Sequence, residues 1–440
     1  MGEKDGSRKS MNLILSILAF NIIVIVHELG HFIIAKKTGI KVLEFSLFFG
    51  PKIFSIQRGE TMYSLRLIPF MAYVKMEGEE EASDSETSFS NKPKYVRALT
   101  ALGGPLANIL LAVVLLTAVF MIEGYSSTEI SQVSANSPAT EAGLQKGDKI
   151  VSYDGKATYL PIDVVQFLYV SKGTPAKVTY VRDGKSYGTT LAPIHHAAAS
   201  APKLGVTLGR EGTADSNVIK DLSPGMPAEK IGLQVGDRIV ELNGQKVSTS
   251  TELVGIVEKN GLKLIKLKAL RDGAEVSVDI MPQEVKADEW YDAGLAFSQK
   301  NGGFIESLGQ SAVFTYSIVR SVGYSLGWLF TGKAKLSELM GPIGMVSTMT
   351  SVMQQAPNLA DMLLYLIKTT AFMSIAIGAT NLIPFPMLDG GRITLIGLEA
   401  VRGKPLSQEK EAYISMVGFV LIILLGIYAA YNDIVRIVTG

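Results

Sequence analysis

Four apolar stretches limit what this chain can fold into. Residues 98–122 are 25 in a row without a charge, residues 412–432 are 21 and residues 369–388 are 20. A helix crosses the hydrocarbon of a bilayer in about 20 residues. Residues 10–26 add 17 more; His27 and Glu28 then interrupt, and residues 29–35 resume the run. Lys4, Arg8 and Lys9 precede this first segment, as they would a secretory signal. No small-x-small cleavage site follows, and ionisable residues sit inside the run. The pattern predicts four membrane helices near 11–35, 98–122, 362–383 and 412–432. A fifth long segment, 304–330, carries Glu306, Gln310 and Arg320. It reads as an amphipathic helix lying at the interface.

Composition narrows the function. The 42 Lys and Arg nearly balance the 41 Asp and Glu, for a net charge of +1. That excludes a polycationic nucleic-acid binder and an acidic disordered chain. There is no cysteine, so disulfides and thiolate metal sites are impossible. Any transition metal must be held by Asp, Glu or the four histidines, at 27, 31, 195 and 196.

Flanking charges suggest an orientation. The loop 36–97 holds ten Lys and Arg and the loop 384–411 holds four, against three in the N-terminal tail and one in the C-terminal tail. Positive charge stays on the cytoplasmic side. Both loops, and the His31 end of the first helix, are therefore expected in the cytoplasm, with 123–360 outside it.

That outer segment contains a repeat. Residues 137–155 read SPATEAGLQKGDKIVSYDG and residues 226–244 read MPAEKIGLQVGDRIVELNG, with ten of nineteen positions identical at an offset of 89. The same offset relates Arg182-Asp183-Gly184 to Arg271-Asp272-Gly273, and Gly205 to Gly294. A register held so far without a gap means two copies of one domain. The pattern G-L-x-x-G-D-x-I-V-x-x-x-G resembles bacterial PDZ domains. In those the peptide-binding strand comes last, which assigns Leu204-Gly205-Val206 to the first copy and Ala293-Gly294-Leu295 to the second. Such a domain takes an extended peptide as an added strand, so peptide C-termini are candidate partners; the alternative is a packing module without a ligand. His195 and His196 fall in an Ala-rich linker with no carboxylate at ligand spacing beside them.

His27-Glu28-Leu29-Gly30-His31 fits H-E-x-x-H. Residues four apart share a helix face, so both imidazoles can reach one ion, with Glu28 beside them as a proton acceptor. Ionisable groups at this depth cost several kcal/mol unless paired or metal-bound. Catalytic zinc takes three protein ligands and keeps one position open. Without Cys or a suitable third His, the third ligand is expected to be a carboxylate. Asp389 is the candidate, in Asn381-Leu-Ile-Pro-Phe-Pro-Met-Leu-Asp389-Gly390-Gly391. Pro384 and Pro386 break the helix there. Helices one and three of a four-span protein run the same way, which brings His27, His31 and Asp389 to similar depth.

With H-E-L-G-H in a first span, G-G-P-L-A-N at 103–108, a PDZ-like pair, G-P-I-G at 341–344 and N-L-I-P-F-P-M-L-D-G-G, nearly the whole chain resembles the site-2 protease family, of the bacterial type with two PDZ domains. The resemblance implies an intramembrane zinc metalloprotease that cuts transmembrane segments of single-span membrane proteins, such as anti-sigma factors after a first cut, or signal-peptide remnants. It implies His27, His31 and Asp389 as ligands, Glu28 as general base and Asn381 as a substrate-handling residue. It also implies that 44–76 is a β-hairpin-like loop dipping into the membrane. Rival readings are a membrane-tethered scaffold with a closed structural metal site, for which no fourth ligand is found, and a metal carrier, for which the spans lack further ligands.

The expected architecture is therefore an α-helical multi-pass membrane protein of four transmembrane helices with two inserted α+β domains. Its parts are a first membrane half (1–122), PDZ-like domains at 126–209 and 210–298, an amphipathic connector (299–360) and a second membrane half (361–440), in a bacterial cytoplasmic membrane.

Overall fold

A computed structural model of the protein describes residues 2–439 other than 80–82, 212, 213, 224, 288, 335, 337–339, 355, 357 and 405. The first membrane half comprises helix α1 (Gly2–Lys37), strands β1 (Val42–Arg58) and β2 (Thr61–Met76), and helix α2 (Lys94–Glu123). The first copy of the repeat follows with β3 (Tyr125–Val133), α3 (Pro138–Glu141), β4 (Lys149–Tyr153), β5 (Lys156–Ala157), α4 (Pro161–Val170), β6 (Ala176–Arg182) and β7 (Lys185–Leu191). Short strands β8 (Ile194–His196) and β9 (Ala199–Lys203) lead to the second copy. That copy holds β10 (Val206–Glu211), β11 (Ala214–Leu222), α5 (Pro227–Lys230), β12 (Arg238–Leu242), β13 (Gln245–Lys246), α6 (Ser250–Asn260), β14 (Ile265–Arg271) and β15 (Ala274–Ile280). The chain returns through β16 (Gln283–Ala287), β17 (Trp290–Asp292) and β18 (Leu295–Lys300). It ends with helices α7 (Phe304–Phe330), α8 (Pro342–Gln354), α9 (Leu359–Asn381), α10 (Asp389–Arg402) and α11 (Gln408–Thr439).

Among the described residues four helices are long and apolar enough to cross a membrane: Ser10–Lys37, Lys94–Glu123, Leu359–Asn381 and Glu409–Val435. Close packing between the first two depends on glycine. A Cβ on Gly30 would come within 2.2 Å of the Gly103 carbonyl oxygen, and one on Gly103 within 2.7 Å of the Gly30 oxygen. Segment 304–330 is a helix outside that set of four. Its N-terminal half packs on α2, where Ser311 and Thr117 hydroxyls meet at 2.8 Å. Its C-terminal half grips the first β-rich unit: Ser317 donates to Asp163 at 2.6 Å, and Arg320 pairs with the same carboxylate at 3.0 Å.

The two PDZ-like units share one buried device. Arg182 bonds Asp148 and the Gly143 carbonyl, and Arg271 bonds Asp237 and the Gly232 carbonyl. Each pair of equivalents is 89 residues apart, so the repeated Gly-Asp and Arg-Asp-Gly motifs are the two ends of one contact.

The boundary at 209/210 does not follow the sheets. Strand order is β18-β3-β4-β6-β7 in one unit and β10-β11-β12-β14-β15 in the other. Gly294 lies against Ser137 of the first copy, and Gly205 against Met226 of the second. The second unit is thus nested inside the first, joined to it by the ribbon pairings β8–β17 and β9–β16. The strand containing Val206 belongs to the second copy, and the one containing Leu295 to the first.

The segment expected as a hairpin is doubled. Phe48 and Met71 take φ of 70° and 71°, where the two strands bend. β1 and β2 then pair several times over: Phe45 with both Val74 and Tyr63, and Tyr63 also with Ile56. The spatial order is 72–76, 42–47, 61–66, 52–58. Residues 72–76 are one edge of this small sheet. Its other end exposes Phe49, Ile53 and Phe54, each more than half accessible.

Candidate metal centre

One break in helical structure builds the site. The Pro384–Pro386 bend ends the third span and starts α10, with Asp389 in its first turn, where the helix dipole favours a carboxylate. Gly390 and Gly391 make the bend possible: a Cβ would come within 2.3 Å of the Leu382 oxygen on one and 2.1 Å of the Phe385 oxygen on the other. Gly418 of α11 lies equally close to Pro386.

Asp389 thereby reaches the two histidines of α1. His27 Nε2 is 3.1 Å and His31 Nε2 3.4 Å from Asp389 Oδ2, and the two Nε2 atoms are 3.2 Å apart. His27 and His31 are each 8% exposed. The other ring nitrogens are held from α2. His31 Nδ1–H donates to the Thr100 carbonyl at 2.8 Å. His27 Nδ1 lies 3.3 Å from Asn108 Nδ2, and the Asn108 Oδ1 has no hydrogen-bond partner. With the amide oxygen turned to the ring, Nδ1–H donates to it and the Nε2 lone pair is left free.

With the amide so turned, two imidazole lone pairs and a carboxylate oxygen converge with no proton between them, an arrangement that calls for a cation. Zinc bonds His and Asp at about 2.0–2.2 Å, and a tetrahedron of such bonds spaces its ligands by about 3.3 Å. The three separations fit that figure. Among the described residues this is the one group of His, Asp and Glu whose ligand atoms lie so close together. The side facing α2 has no room to spare: a Cβ on Gly104 would stand 2.3 Å from His31 Nε2 and 2.6 Å from His27 Nε2.

The fourth direction opens on a cavity of about 430 Å³ lined by His27, Glu28, His31, Asn381 and Asp389 among others. Glu28 Oε2 accepts the Val74 N–H at 3.1 Å, on the edge of the small sheet. Asn381 lies on the wall, its Nδ2 donating to Ile377 of its own helix at 3.1 Å. All five candidate residues from the sequence therefore meet around one space. His195 and His196 do not; they sit in the ribbon, His195 3.1 Å from Glu289.

Sequence reasoning missed Thr100 and the role of Asn108. The G-G-P-L-A-N stretch was the available signal, since it contains both Gly104 and Asn108. It also missed Glu79 and Arg392, which line the same cavity and form an ion pair.

A membrane-embedded metallopeptidase is the class that an H-E-x-x-H helix, a carboxylate from a later span and a cavity between them define. The Peptidase family M50 model matches residues 15–425, and the chain belongs to that family, the site-2 proteases. Zinc metalloprotease RasP of Geobacillus kaustophilus is 31% identical over 437 residues, covering 96% of this chain and 97% of the relative. Protease RseP of Yersinia pestis is 30% identical over 449 residues, covering 96% and 98%. Regulator of sigma-W protease RasP of Bacillus subtilis is 28% identical over 444 residues, covering 97% and 98%.

Proposed function

We propose that the protein is a zinc-dependent endopeptidase that hydrolyses peptide bonds within transmembrane segments of other membrane proteins. The observation that carries this reading is the convergence of His27, His31 and Asp389 beside Glu28, with the cavity bounded by the 72–76 sheet edge. His27, His31 and Asp389 would hold the metal, which when bound polarises the scissile carbonyl and lowers the pKa of water to about 7.

The chain's own residues do the rest. A helical substrate hides its carbonyls in hydrogen bonds, so it is unwound first. The 72–76 edge takes the unwound stretch as an added strand, the 44–76 sheet dipping into the membrane to do so. Asn381 binds the extended stretch from the cavity wall. Glu28 leaves Val74, takes the proton of the attacking water and gives it to the departing amide nitrogen.

The substrates are single-span proteins such as anti-sigma factors trimmed by a first cut, or signal-peptide remnants; the sigma-W regulation in the name of the Bacillus subtilis relative supports the former. The enzyme sits in a bacterial cytoplasmic membrane with the metal near the cytoplasmic side. The nested PDZ-like pair stands outside, where it binds new C-termini or excludes bulky ectodomains. A cavity of about 570 Å³ beside Gly205, Val206 and Leu253 supports the first of these roles for the second unit. The test is cleavage of a model single-span substrate by purified full-length protein, with Glu28→Gln as the control. Equal turnover by both removes the proposal.

A further inference from the structure

The outward edge of β2 is partly occupied. Residues of an antiparallel strand turn their N–H groups alternately toward and away from the neighbouring strand. The Glu77 N–H donates inward to the Lys41 carbonyl at 2.9 Å; the register shift between the pairs Val42–Met76 and Glu44–Lys75 puts its extra residue on β1, so the alternation along 73–77 is unbroken. Residues 73 and 75 therefore share that inward direction, and residues 72, 74 and 76 face out.

The last two of these outward donors end on carboxylates. The Val74 N–H meets Glu28 Oε2 at 3.1 Å, and the Met76 N–H meets Glu79 Oε2 at 3.2 Å. The two carboxylates are held differently. Glu79 Oε1 is bound by the Arg392 guanidinium. Arg392 lies three residues along α10 from Asp389, and the Glu79 side chain is 12% exposed. Glu79 is thus tied at one oxygen to the edge strand and at the other to the helix that carries Asp389.

We propose that Glu79, clamped by Arg392, is the register stop of the substrate groove. This rests on the strand-addition reading above. A substrate strand replaces Glu28 at the Val74 N–H and runs along the edge until Met76, where the partner position is filled. The stop decides which peptide bond lies over the histidines and Asp389. Glu79 and Arg392 are positioning residues, since neither reaches the reacting atoms. A paired strand keeps the same side chains facing the same way only if it slips by two residues. Removing the stop therefore moves the cut in a step of two.

The experiment reads product masses from full-length protein loaded with zinc and incubated with a single-span substrate. Wild type is expected to give one major cut. Glu79→Ala and Arg392→Ala are expected to add a cut two residues away with zinc content unchanged. Glu79→Gln, which keeps an acceptor for Met76 but loses the ion pair, is expected to fall between. Should an alanine variant lose metal, Arg392→Gln carries the same comparison. An unshifted single cut in the metal-loaded variants, whatever its rate, overturns the stop, and so does loss of all cleavage with zinc retained. A wild type that cuts nothing, or a Glu28→Gln variant that cuts normally, fails the peptidase reading beneath it, a result distinct from an unshifted cut.

Discussion

Asp389 Oδ2 stands 3.1 Å from His27 Nε2, although 362 positions separate the two residues in sequence. The contact constrains topology. It needs α1 and α9 to run in the same direction, so that the end of one meets the end of the other. If α7 also crossed the bilayer, α9 would be inverted and Asp389 would emerge on the far side. The contact and the four-helix count therefore support each other.

Metal content follows directly from that contact. Purified wild type is expected to carry about one zinc per chain, as a three-ligand site does. His27→Ala and Asp389→Ala each leave two ligands and are expected to lose most of it. Elemental analysis of the purified proteins checks this, and full retention in Asp389→Ala would remove that carboxylate from the ligand set.

Much of this was legible in sequence, for reasons that differ by residue. His27 and His31 follow from helical periodicity alone, and Asp389 from topology plus the absence of other ligands. The nesting of the two β-rich units was not legible. Gly205 and Gly294 are themselves 89 apart, so the repeat has the same spacing whichever sheet each strand joins. The doubled sheet at 42–76 was also hidden, because its reversals fall at Phe48 and Met71, residues that seldom take positive φ. Glu79 and Arg392 are 313 positions apart, and nothing local marks them as a pair.

Glu28 separates chemistry from structure. Glu28→Gln keeps the size of the side chain and an acceptor for the Val74 N–H, but cannot take a proton. Zinc content is expected to match wild type, while cleavage falls by about 10²–10⁴-fold, the usual contribution of a general base. Single-turnover assays on metal-loaded protein would measure it; an unchanged rate removes the peptidase reading.

Gly104 tests how tightly α2 backs the site. A methyl group there would stand 2.3 Å from His31 Nε2, closer than any real contact. Gly104→Ala is expected to push both imidazoles off the metal position and lower zinc affinity at least about tenfold, by analogy with loss of supporting contacts around metal ligands. Zinc-buffer titration reads the effect. Gly309, whose Cβ would meet nothing within 4 Å, supplies the control, and Gly309→Ala is expected to bind zinc normally.

The repeated Arg–Asp contact predicts an acid-sensitive unit. Arg271 hydrogen-bonds the Asp237 carboxylate, which is fully buried, and holds its pKa below the usual carboxylate range. A depressed carboxylate contributes its stabilisation in full above the ordinary value near pH 4 and loses it as pH falls through the lower folded value. Arg271→Ala strands the buried charge, so the second unit is expected to lose on the order of 2–3 kcal/mol at pH 7. Arg271→Ala is also expected to become less unstable relative to wild type as the medium is acidified. Denaturant melts of the full chain, followed by proteolysis within 203–283, would show both; equal midpoints for wild type and variant at pH 7 would contradict the argument.

Sidedness rests on charge distribution, and the chain lends itself to a clean test because it contains no cysteine. Ser186 lies on the exposed strand β7 of the first unit, and Ser83 lies in the loop between β2 and α2. The loop 36–97 carries ten Lys and Arg, and such an excess is retained on the cytoplasmic side. In intact cells Ser186→Cys is expected to react with a membrane-impermeant thiol reagent and Ser83→Cys only after the membrane is opened. The hairpin-like sheet, Glu79 and the cavity mouth would then face the cytoplasm, and a trimmed substrate would present its new C-terminus on the side of the PDZ-like units. The reverse labelling pattern would place the nested pair in the cytoplasm and with it rule out a role in sensing the extracytoplasmic cut.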